Sequence, residues 1–218
     1  TRILFTGPFD FHAEGVLLAL GDSLNHIEFT SGQFVPAPGD WGTLELYSPG
    51  NILSFVDYTF ASNGIWGDEI DGSIFDHCNI SDILEYTEHH DRINCHGLEA
   101  EECRDCIFNA NTIVGPIYEG LMIEHDGSGS IFSNNIINIS TSELGIYVGE
   151  GENLTISGNT IYTEGTGITA YSADSSIVSG NTLELTTTDY AIYMQNCDDC
   201  EFSSNTIENP SGKGIYSS

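Results

Sequence analysis

The sequence predicts an all-β fold, a single-stranded parallel β-helix, which is a solenoid of roughly eight or nine coils of 22–24 residues. Three observations predict it. Asparagine recurs at nearly fixed intervals, in Asn111-Thr112-Ile113, Asn135-Ile136-Ile137, Asn159-Thr160-Ile161, Asn181-Thr182-Leu183 and Asn205-Thr206-Ile207, with steps of 24, 24, 22 and 24 residues. Apolar residues alternate with polar ones at the strand period and never persist at helical spacing. Gly, Asn and Ser punctuate the runs, as tight turns require. A repeat this short buries its apolar face only by stacking on its neighbours.

The 218 residues read as one domain. Residues 1–72 form less regular N-terminal coils. Gly42-Thr43-Leu44 and Gly64-Ile65-Trp66 look like one strand motif, and Phe55–Phe60 aligns with Tyr58 at the asparagine position. Ser73–Ile80 aligns with Cys78 there. A loop at 81–96 lengthens one coil by about ten residues. Residues 97–218 are regular. The type unit is Asn153–Val178, with Leu154, Ile156 and Ile161 alternating and Gly167-Ile168-Thr169-Ala170 as a second run. That second run recurs at Gly120, Gly145, Ala191 and Gly214. Asn111, Asn135, Asn159, Asn181 and Asn205 are expected to bond from coil to coil as a ladder, at bends whose left-handed geometry asparagine tolerates. Thr1-Arg2 without methionine suggests a mature form or a segment of a longer chain, and neither terminal run looks like a capping helix.

With these repeats in view, the chain resembles the right-handed parallel β-helix repeat family, the pectate-lyase-like superfamily with carbohydrate-binding and sugar-hydrolase members. The resemblance covers essentially the whole chain, including the Gly15–Gly21, Ile27–Ser31 and Pro38–Gly42 stretches that resemble the N-terminal coils of extracellular members. It implies fold more than function, because one fold hosts many activities. Lyases of the superfamily need a basic residue, and here only Arg2, Arg92, Arg104 and Lys213 are present. Polygalacturonase-like hydrolases carry Asn-x-Asp, Asp-Asp and Gly-His-Gly on separate coils. Asn196-Cys197-Asp198-Asp199 crowds the first two into one turn, and no Gly-His-Gly occurs.

Thirty-three carboxylates against four Lys and Arg give a net charge of −29. Such a surface repels nucleic acid, anionic lipid and polyuronate, and no apolar run approaches the ~18 residues of a membrane span. It suits a saline or extracellular setting and attracts divalent cations. Acidic turns at Glu124-His125-Asp126-Gly127 and Asp68-Glu69-Ile70-Asp71-Gly72 offer oxygen ligands for Ca2+, without a defined calcium-loop spacing. The sequons at Asn79, Asn138 and Asn153 are glycosylation candidates.

Six cysteines include two Cys-x-x-Cys pairs, Cys103/Cys106 and Cys197/Cys200. The register puts Cys106 and Cys200 four coils apart, about 19 Å, so the four thiolates cannot share one zinc. Buried fillers and local disulfides both remain open for them. Glu88, His89, His90, Asp91 and His96 form the densest set of metal-ligand types, in the one long loop. The alternative is a solvated loop. Met122, Tyr147, Thr169, Tyr193 and Tyr216 take the outward position of the second run and form a vertical stripe, with Tyr171 close by. A flat aromatic face suits a sugar or a protein partner, although tyrosine is also a good exposed strand residue. The balance favours a non-catalytic extracellular or cell-surface β-solenoid that acts in structure, adhesion or carbohydrate binding, with self-association through open β-helix ends. The competing reading is a polysaccharide-active hydrolase with its site near the loop.

Overall fold

The computed structural model describes residues 1–84, 96–140, 143–186, 190–208 and 211–218. They form three parallel sheets of nine, nine and eight strands, each strand hydrogen-bonded to its counterpart one coil away. No helix occurs among the described residues. One coil runs from a strand of the first sheet (such as Thr112–Gly115) to the second (Glu119–His125) and the third (Ile131–Ser133). The next coil then begins at Ile136–Ile139. The expected period-2 pattern produces the core. Ile113, Leu121, Ile123 and Phe132 point inward from one such coil and are fully buried. Phe75, Phe108 and Phe132 stack in the third sheet with ring centroids 5.4 and 4.9 Å apart.

The asparagine ladder lies at the corner between the third and first sheets. Asn135 Nδ2 donates to the Phe108 carbonyl at 2.9 Å and to Asn159 Oδ1 at 2.9 Å. The Asn135 backbone amide donates to the same Oδ1 at 3.0 Å. Asn111, Asn159 and Asn181 repeat the pattern, so each amide donates to the asparagine one coil on and to a backbone carbonyl one coil back. Cys78 stands in the column as expected, with its amide donating to Asn111 Oδ1 and its thiol to the Leu53 carbonyl.

Three details differ from the sequence reading. The left-handed residue at the bend is not the asparagine but the residue before it: Phe55, His77, Ala110, Asn134 and Ser204 have φ between 51° and 57°, and Gly158 and Gly180 have 66°. The asparagine is needed for its amide. Tyr58 is not at the ladder position, because it pairs with Ile80 and so places Val56 there. An aromatic fits the core strand because Trp41 lies over it, at 4.8 Å between centroids. Leu44 pairs with Ile65, one residue off the alignment expected from Gly42, so Glu45 rather than Leu44 stands beside Trp66.

Length variation in the regular coils is concentrated in one corner. From each ladder asparagine to the residue that opens the second-sheet run is nine, ten, eight, ten and nine residues (Gly120, Gly145, Gly167, Ala191 and Gly214), and the 81–96 loop falls in this same corner. The return from Gly97, Gly120, Gly145, Gly167 and Ala191 to the next asparagine is 14 residues, or 15 once. The opening residue is small because the first sheet packs on it. A Cβ on Gly145 would lie 2.5 Å from Ile161 Cγ2 and 2.6 Å from the Gly167 carbonyl oxygen.

Candidate functional site

The outer face of the second sheet collects the side chains with chemistry. Its register aligns His12, Glu45, Trp66, Glu99, Met122, Tyr147, Thr169, Tyr193 and Tyr216 as one column. The stripe expected from sequence, Met122 to Tyr216, is its C-terminal half. Outward residues two positions on form a second column, in which Tyr171 pairs with Gln195.

Thr169 is the small side chain between two tyrosines, and the consequence is a groove of about 310 Å³ lined by Leu144, Tyr147, Thr166, Thr169, Tyr171, Tyr190 and Tyr193. Tyr171 stands edge-on to Tyr147 and Tyr193, at 6.1 and 5.9 Å between centroids. Tyr193 stacks on Tyr216 at 4.9 Å, and Lys213 Nζ sits 4.5 Å from the centre of the Tyr190 ring. Burial pushes the Tyr147 hydroxyl above the usual tyrosine range, assisted by Tyr171 and by the negative charge of Glu124. Two other recesses are less suited to a specific ligand. One, over the first sheet, carries Glu164, Glu184 and Glu208 with Tyr162 as its lone aromatic. The other lies beside the loop, between Pro38, Leu84, Val114 and Pro116.

Toward the N-terminal coils the same face turns acidic. Burial raises the Glu99 carboxyl above the usual range against a lowering pull from His96, with Glu124 adding to the rise. His96 is itself buried. Its Nδ1 lies 2.7 Å from Glu119 Oε2, its Nε2 lies 3.5 Å from Glu99 Oε2, and Tyr118 stands edge-on to the ring. Farther along, Glu45 Oε2 accepts from the Tyr47 hydroxyl at 2.6 Å and lies 2.6 Å from His12 Nδ1. Asp10, His12 and Glu45 bring ligand atoms within 4.8 Å of one another, on an exposed surface.

The structure thus places His96 between Glu119 and Glu99. Its expected partners Glu88, His89, His90 and Asp91 lie outside the described residues. The cysteines resolve as two disulfides, Cys103–Cys106 and Cys197–Cys200, while Cys78 is free and buried. Among the acidic turns, Asp71 and Asp126 converge on Arg104, whose guanidinium lies 3.0 Å from Asp71 and 3.7 Å from Asp126. Asn138 and Asn153 are exposed, whereas Asn79 donates to Asp57 at 2.6 Å. Sequence reasoning missed Glu45, Trp66, Glu99 and Tyr190 as members of this face. The period-2 pattern of Leu98-Glu99-Ala100 held the signal, but the loop before it hid the register.

Among the described residues no helix is long and apolar enough to cross a membrane. No curated protein and no solved structure matches the chain. Residues 96–218 match the family model for the right-handed β-helix region, more than half of the sequence. That match and the three stacked parallel sheets make the chain a member of the right-handed β-helix family.

Proposed function

We propose that this protein binds carbohydrate along the outer face of its second sheet, in an extracellular or cell-surface setting. The carrying observation is the groove over Thr169, flanked by Tyr147, Tyr171, Tyr190 and Tyr193. Tyrosines supply large, rigid contact area with a polar tip, which suits sugar rings that are apolar on one face and hydroxylated at the edge. Two disulfides and a strongly acidic surface support the oxidising, extracellular setting.

The test is binding to a panel of soluble glycans by calorimetry. Tyr193→Ala and Tyr147→Ala are each expected to weaken the wild-type affinity about ten-fold, in line with ~1–1.5 kcal/mol per aromatic contact. Tyr162→Ala, on the first sheet, leaves it unchanged. Equal affinities for all three variants would sink the proposal, as would a wild-type protein that retains no glycan.

One observation favours a second reading, glycan hydrolysis on the same face. Glu99 is a carboxyl held protonated to higher pH by burial, and Glu101 and Glu124 lie beside it on the register. A glycosidase needs such a raised acid paired with an ionised carboxylate. Turnover of any panel glycan that disappears in a folded Glu99→Gln protein supports this reading, and no turnover across the panel removes it.

A further inference from the structure

We infer that the tyrosine groove is built for a cationic glycan, one whose sugars carry free, protonated amino groups. This inference rests on the carbohydrate-binding reading above and specifies its substrate class.

Three observations converge on it. First, the rim of the groove already holds an ammonium: Lys213 Nζ lies 4.5 Å from the Tyr190 ring centre. An ammonium over an aromatic face is attracted by the ring's negative π-surface. The chain thus shows, with one of its own side chains, which charge this aromatic cluster accepts. Second, the face is acidic where it leaves the tyrosines. In the first outward column Glu99 follows Tyr147 with only Met122 between them, and Glu101 and Glu124 stand two positions along from Glu99 and Met122. A chain lying along the sheet would meet tyrosine faces first and carboxylates next. Third, thirty-three carboxylates against four Lys and Arg give a field that draws cations to the surface and turns uronates away.

An aromatic cluster alone binds neutral sugars, and an acidic surface alone collects any cation. Their juxtaposition on one face, at strand spacing, selects a ligand that is both a sugar and a cation. The groove's Thr166 and Thr169 hydroxyls add hydrogen-bonding partners that a bare alkyl ammonium would leave unused. A basic peptide or free polyamine shares the charge but lacks the ring.

The experiment compares fully deacetylated glucosamine oligomers with N-acetylated oligomers of the same length, oligogalacturonate, and oligolysine of matched charge. Binding to the intact chain is measured at low and high NaCl. The deacetylated oligomer is expected to bind at least ten-fold more tightly than the acetylated one at low salt, with the gap closing as salt rises. Glu124→Gln narrows the gap. Lys213→Ala tightens cationic binding two- to five-fold, because it frees the Tyr190 face and removes a competing charge. Equal or tighter binding of the acetylated oligomer overturns the inference while leaving carbohydrate binding intact. Oligolysine binding as well as the deacetylated oligomer also overturns it, since the face then reads charge alone. Failure of every glycan to bind removes both proposals together.

Discussion

Asn159 shows how much one side chain holds in this fold. Its amide donates to the Phe132 carbonyl and to Asn181 Oδ1, and its own Oδ1 accepts from the Asn135 backbone and amide. Replacing it with alanine strands several fully buried polar groups. We expect Asn159→Ala to cost about 3 kcal/mol in urea denaturation, and Asn205→Ala, at a half-buried rung, about 1 kcal/mol. Glycine gives a second contrast at this scale. Gly145→Ala brings a Cβ against Ile161 and the Gly167 carbonyl and is expected to lose about 1–3 kcal/mol. Gly214→Ala meets nothing within 4 Å, and its melting temperature should match the wild type. The ladder was legible because five identical residues in register can hardly serve five unrelated purposes. The left-handed residue before each rung was not, because Phe55, Ala110, Asn134 and Ser204 share no chemistry. The stacked coils on either side impose that backbone on whatever residue stands there.

Among elements, the corner between the second and third sheets is stapled twice, by Cys103–Cys106 and Cys197–Cys200. Each closes a short loop, so each contributes about 2 kcal/mol on the chain-entropy account. Reduction with a thiol should therefore lower the melting temperature by several degrees without unfolding the protein at 25 °C. Cys78 should stay unmodified by an alkylating reagent in the same experiment, since burial pushes its thiol up to about 12. Mass spectrometry of the native, reduced protein checks both. The sequence excluded a shared zinc site by register alone, yet it left filler and disulfide undecided. Spacing cannot report whether two side chains on a tight turn point at each other.

Over the whole molecule, charge governs how stability responds to the solvent. The Glu99, Glu101 and Glu143 carboxyls are all raised, in each case chiefly by burial. A raised carboxyl binds its proton more tightly folded than unfolded. Its contribution is complete below the unfolded value near ~4.3 and is lost as pH climbs through the folded value. Asp22 and Asp40, lowered by hydrogen bonds, act in the opposite sense and lose theirs as pH falls. With a net charge of −29 the raised group is expected to dominate between pH 7 and pH 5. The melting temperature should rise over that descent, and Glu99→Gln should raise it at pH 7 and flatten the slope. Salt should act in the same direction, because about 1 M NaCl shortens the screening length to ~3 Å. A melting temperature insensitive to both would show that carboxylate repulsion is not the controlling effect. At this scale the tyrosine half of the binding face could be read from sequence, since it lies in the regular coils. Its acidic half could not, because the 81–96 loop and the one-residue offset at Leu44 broke the count. The concentration of length variation in the corner between the first and second sheets has a separate consequence for how such a molecule changes over generations. Leu144, Thr166 and Tyr190, which rim the groove, belong to that corner or its edge, whereas the ladder lies at another. Insertions there pay only loop-closure entropy, about 0.6 kcal/mol for each doubling of length. Specificity can therefore drift by lengthening or trimming a rim while the column of amides keeps every strand in place, a division of labour in which ligand preference and foldability are inherited almost independently.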